Sequence, residues 1–176
     1  MTVYYPVSQN IYKFLENTAG AHIANGDYSG AAETFYFQDV KRECVIHRMI
    51  VSIEDTSGFV ADEYGNLGSA LGNGVHVLVS DANDEVLCNL TDGNPIKTSA
   101  QWGKFCYDVT LKSWGSTPSN EFILVRWTFA KAGTPLFLRA GDKMKVVLND
   151  NLSGLVSHTF QIQGHYASWQ DGVIRA

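Results

Sequence analysis

The chain predicts an all-β fold, an antiparallel two-sheet jelly-roll sandwich with a short N-terminal arm or helix. Three observations carry that expectation: apolar residues alternate with period two, turn-forming residues separate the alternating runs, and eight such runs recur at fairly regular spacing. The alternation is plainest between 121 and 163. There Ile123, Val125, Trp127 and Phe129 fall on one side of a strand, while Phe122, Leu124, Arg126 and Thr128 fall on the other. Met144, Val146 and Leu148 repeat the pattern, followed by Phe160 and Ile162. Between these runs lie Gly133, Pro135, Gly141 and the segment 149–154, whose Asx and Gly residues suit chain reversals.

Taken in order, residues 1–31 read as an N-terminal arm, 32–167 as the sandwich and 168–176 as a tail. In the arm, Ser8 is placed to cap a short helix on which Ile11, Phe14 and Leu15 share a face and Tyr12 flanks it. Residues 17–32 are then rich in Ala, Gly, Asn and Ser. The expected strands are 33–40, 44–54, 74–80, 85–90, 104–112, 121–131, 143–149 and 157–166. In the second of them Val45, Met49, Val51 and Ile53 share one face with His47 among them; in the third Val75, Val77 and Val79 do so. The turn Asp81-Ala82-Asn83-Asp84 makes the third and fourth strands a hairpin. The connection 56–73 carries Gly58, Gly65, Gly68 and Gly72, too much glycine for a core helix, and reads as a surface loop or crossover.

At 176 residues the chain has the size of one domain able to bury a core without disulfides or metal. Its net charge of -5 opposes nucleic-acid binding, which needs clustered Lys and Arg. Hydrophobic residues reach 45% and charged residues only 18%, a balance that suits a surface partly covered by neighbours. Cys44, Cys88 and Cys106 cannot all pair within one molecule and sit in strand-like runs, so buried free thiols are expected. The N-terminus has neither a basic lead nor a continuous apolar stretch, which predicts no secretory signal and no membrane span, and folding in a reducing cytoplasm.

Chemistry is sparse. The paired-histidine pattern of metal-dependent β-barrel enzymes is missing: His76 stands alone between Val75 and Val77, and His22, His47, His158 and His165 are scattered. Acidic groups such as Asp81, Asp84 and Glu85 match no calcium loop, and no nucleophile turn, phosphate loop or dinucleotide fingerprint occurs. No catalytic, cofactor-binding or metal-ligating residue is therefore assigned, and the chain reads as a scaffold rather than an enzyme. Among the four tryptophans, Trp127 has core phase. Trp102, Trp114 and Trp169 lie near loops or in the tail, as surface aromatics for a subunit contact or a sugar platform.

Several runs are distinctive together: NLTDGNPIKT at 89–98, AQWGKFCYDV at 100–109, VRWTF at 125–129, VVLNDNLSGL at 146–155 and FQIQG at 160–164. In these the chain resembles a family of tailed-bacteriophage virion structural proteins, over roughly residues 26–164. The resemblance implies a particle component located in the virion and supplies no catalytic residues. Within that class a capsid decoration, or cement, protein is the first expectation, with the major capsid protein and other virion subunits as partners and a homo-oligomer, such as a trimer, as its state. Tyr4, Tyr5, Tyr12, Phe14 and Leu15 are the expected arm contacts. A tail or head-to-tail component and a carbohydrate-binding sandwich module are the alternatives.

Overall fold

A computed structural model describes residues 10–56, 58–105, 108–114, 120–129 and 135–166. The described chain is all-β, with two antiparallel sheets arranged as a sandwich. The strands are β1 (Asn10–Phe14), β2 (Glu33–Gln38), β3 (Cys44–Asp55), β4 (His76–Ser80), β5 (Val86–Asn89), β6 (Asp108–Trp114), β7 (Asn120–Thr128), β8 (Leu136–Leu138), β9 (Lys143–Leu148) and β10 (Ser157–Tyr166). One sheet runs β1-β10-β3-β7-β6, with β8 also paired to β3; the other runs β2-β9-β4-β5. The pairs β1 with β10, β2 with β9, β3 with β7 and β8, and β4 with β5 nest within one another, while β10 with β3, β9 with β4 and β6 with β7 complete the sheets.

Alternation sends the same residues inward that period two selects. Val77 and Val79 on β4, Met144, Val146 and Leu148 on β9, and Phe35 and Phe37 on β2 line one wall of the core. Met49, Val51 and Ile53 on β3, Ile123, Val125 and Trp127 on β7, and Phe160 and Ile162 on β10 line the other. Contact between the walls is direct, since the rings of Phe35 and Phe160 stand 6.4 Å apart. Burying such side chains is the main stabilising contribution to a sandwich of this kind. The predicted hairpin at 81–84 is present, closed by Asp81 Oδ1, which accepts from the N–H groups of Asn83 and Glu85.

Three expectations about local structure are overturned. The run 104–112 is not strand throughout, since Lys104 and Phe105 lie in a helical turn and the strand is Asp108–Trp114. Residues 10–14 form no helix but the edge strand β1, in register with Gln161 to His165 of β10. The spacing of Ile11, Phe14 and Leu15 fits a helical face, but an isolated turn or two is unstable in water, whereas a ladder to β10 satisfies the backbone. Ile11, Leu15 and Ala24 join the common core. In β3 the expected phase of Val45 and His47 is reversed. Register shifts at Gln163/Gly164, where Gln163 faces Arg48 and Gly164 faces Ile46, leaving His47 as the extra residue of a β-bulge. Beyond it Cys44 and Ile46 point inward, and Val45 and His47 are part-exposed on the outer face.

Glycine is required at the bulge because the backbones approach closely. A Cβ at Gly164 would collide with the Val45 carbonyl oxygen and stand 3.0 Å from the Ile46 Cα, and neither is the free end of a side chain. Gly164→Ala is expected to lower stability by about 1 to 3 kcal/mol, read as a shift in urea midpoint at constant m-value; an unchanged midpoint would mean that the bulge relaxes freely.

The described residues of the connection 56–73 hold no strand or helix, yet the segment is anchored. Buried Asp55, at the end of β3, accepts from the Thr56 N–H at 2.7 Å and the Asn66 N–H at 2.8 Å. Gly65 N–H donates to Ser99 Oγ, and Phe59 N–H to Glu121 Oε2, each at 2.9 Å. Farther along, the Asp150 carboxylate accepts from the N–H groups of Gly72, Asn73 and Gly74. Tied down in this way, the segment inserts Tyr64 and Leu71 into the core.

Candidate functional site

The residues expected to make contacts divide by environment. Tyr12 and Phe14 project from β1, a sheet edge, and are 63% and 41% exposed, with Phe14 packed against the His22 ring at 4.9 Å. Leu15 does not join them: it is fully buried, and its N–H donates to the Phe160 carbonyl at 2.8 Å. Its expected role as an arm contact is corrected to a core role. Tyr4, Tyr5 and Trp169, and the side chain of Trp114, lie outside the described residues and side chains.

Trp102 is corrected as well. It is fully buried, carried inward by the single turn α1 (Trp102–Phe105), which follows a 3-10 turn at Ser99–Gln101. Thr98 caps that turn by accepting from Gln101 N–H, and Gln101 Oε1 in turn accepts from Lys97 N–H. Thr98 and Gln101 have the spacing of a capping box, the sequence signal that locates this element. A ring held in this way offers no face to a sugar.

At one edge of the four-stranded sheet, Val86, Leu87 and Cys88 of β5 are all exposed, so the expected burial of Cys88 is overturned. The four-residue run has none of the Lys or Pro residues that usually guard an edge strand. Cys44 is buried, and desolvation pushes its thiol up to about 11. In a Cys106→Ser background, a maleimide should label native Cys88 promptly and reach Cys44 only in denaturant; equal labelling of both thiols in the native protein would contradict this burial.

Two histidine arrangements were not legible in sequence. His158, fully buried, lies 3.1 Å through Nε2 from the hydroxyl of Tyr64, also fully buried. Burial alone lowers the His158 pKa to about 3, so the imidazole is neutral at pH 7. Its Nδ1 has no hydrogen-bond partner among the described residues. On the outer face, His47 Nε2 and His165 Nδ1 are 2.8 Å apart with stacked rings, an arrangement that the bulge creates. Desolvation first, then the fields of His165 and Arg48, hold the His47 pKa below its ordinary value. Among the described residues no three His, Cys, Asp or Glu side chains group as metal ligands, and no helix is long and apolar enough to cross a membrane.

No family model matches the chain, and comparisons with curated proteins and with solved structures find no match either. Function therefore has to be read from the residues and surfaces themselves.

Proposed function

We propose that the chain is a structural protein of a tailed-phage particle, and within it a decoration protein that sits on the outer capsid surface and stabilises capsomer junctions. The observation that carries this reading is the pair of exposed aromatics, Tyr12 and Phe14, on a strand that among the described residues has a partner on one side only. Rings of this kind supply much of the contact energy when a subunit interface forms. The resemblance of the runs between 89 and 164 supports the particle role. The nested pairing supports a jelly roll, the topology obtained when a long hairpin is rolled so that its strands alternate between two sheets.

Such a protein needs no reactive group. Apolar edges bury against the major capsid protein, and repetition of modest contacts through a homo-oligomer raises avidity without new chemistry. The deciding measurement is the copy number and position of this chain in intact particles, by quantitative mass spectrometry and cryo-electron microscopy. High copy number outside the shell is expected; a few copies at the neck would favour a tail or head-to-tail component, and absence would overturn the particle reading. Within a decorated particle, Tyr12→Ser with Phe14→Ser should reduce occupancy while the isolated domain stays folded. Removal of residues 1–17 is a poorer test because it also takes away β1 and Leu15.

A further inference from the structure

The outer face of the four-stranded sheet gathers positive charge in a chain whose net charge is -5. Because Met144, Val146 and Leu148 turn inward, Lys143 and Lys145 stand on the outside of β9, Lys145 in register with Tyr36 of β2 and the Lys143 ammonium 6.0 Å from the centre of the Tyr36 ring. With Thr18, Thr34 and Asp84, the last from the β4–β5 turn, they wall a groove of about 440 Å³. Glu33 lies at its rim but alternates to the other side of β2, opposite Leu148, and among the described residues pairs with neither lysine.

Asp84 shows what kind of group this lysine pair holds. Both ammonium groups reach one oxygen of its carboxylate, at 2.8 and 3.1 Å. The two lysine side chains are only 15% and 12% exposed, whereas that of Asp84 is 60% exposed and its φ of 69° is a left-handed conformation that costs a non-glycine residue energy. The resident carboxylate is therefore the loosely held member, which a better anion can displace. Each ammonium has three donors, of which Asp84 engages one. The hydroxyls of Thr18, Thr34 and Tyr36 have no hydrogen-bond partner among the described residues.

Charge selects the ligand. Two ammonium groups against one carboxylate leave one positive charge in excess, which opposes a cation and gives a neutral ligand no advantage. A carboxylate ligand would only repeat what Asp84 already supplies. A phosphate monoester carries about -1.5 to -2 at pH 7 and three terminal oxygens. Once Asp84 swings into solvent, that charge matches both ammonium groups, and the remaining oxygens accept from the hydroxyls. We propose that this groove binds a phosphoryl group, in competition with Asp84 and independently of the particle role proposed above. The groove has room for more than the phosphoryl group itself, so a small phosphorylated molecule fits it.

The test is calorimetric titration of the full chain, in buffer free of phosphate and sulfate, with phenyl phosphate, inorganic phosphate and acetate. Both phosphates should bind, and acetate more weakly than either. Tighter binding of phenyl phosphate assigns the rest of the groove to the molecule that carries the phosphoryl group; tighter binding of inorganic phosphate assigns the site to the free ion. Lys143→Met and Lys145→Met should each weaken binding about tenfold or more, whereas Asp84→Asn, which removes the competing charge, should tighten it about tenfold. Arg126→Gln, exposed on the other sheet, should leave it unchanged. Circular dichroism checks the fold of each variant, and where a lysine variant is unfolded the sign of the Asp84→Asn effect decides. No binding of either phosphate at millimolar concentration would overturn the proposal. So would binding that survives both lysine substitutions, binding weakened by Asp84→Asn, or acetate bound as tightly as the phosphates.

Discussion

Replacing Trp127 by alanine is expected to lower the free energy of unfolding by about 3 to 5 kcal/mol. The side chain is 6% exposed on β7, between Val125 and Phe129, and its ring centre lies 5.3 Å from that of Phe129. Removing an indole from this position loses its transfer energy and leaves a cavity that a two-sheet core refills only in part. Trp102→Ala should cost a similar amount, about 3 to 5 kcal/mol, because that ring is also wholly buried although it hangs from a single helical turn. Urea denaturation measures both. A loss below about 1 kcal/mol for either would put that ring at the surface.

Acid should destabilise the fold through His158. Its pKa is near 6.5 in the unfolded chain and about 3 in the folded one, so between those values the unfolded state binds the extra proton. The stabilisation is complete above pH 6.5 and is lost progressively as the pH falls toward 3, by up to about 5 kcal/mol. Asp39 and Asp84 act later. Their pKa values are lowered, so their contributions persist until the pH drops below the ordinary carboxylate value of 3.8. The interval from pH 6.5 to 4 therefore reports mainly on imidazoles. His158→Gln, which keeps a polar partner for Tyr64, should flatten the pH dependence of the urea midpoint there. Identical slopes in the two proteins would show that His158 is not the responsible group.

What the sequence made legible follows from which interactions are local. Period-two alternation and turn residues located eight strands, though the run 104–112 opened inside the helical turn Trp102–Phe105 and β5, exposed along Val86, Leu87 and Cys88, records no burial pattern. β1 and β8 escaped for different reasons. β1 exists by virtue of β10, far away in sequence, while Leu136–Leu138 is too short to show a period. The phase error at Val45 has one cause, the extra residue at His47, which no pattern within β3 announces. Of the expected contact residues, Tyr12 and Phe14 are exposed, but Leu15 and Trp102 are buried by packing partners that only the fold supplies. The groove was half visible: alternation places Lys143 and Lys145 outward, yet nothing in the run 81–84 says that Asp84 reaches them.

The pairing of β1 with β10 also bears on how the protein is made. Residues 10–14 leave the ribosome ahead of 161–165 and stay without their hydrogen-bonding strand until those have emerged. Closing that long separation carries an entropic cost that precedes any reward from contacts. Translation of this chain thus creates an interval in which two aromatic side chains on an unzipped strand must be sheltered by chaperones or risk capture by a neighbouring nascent polypeptide.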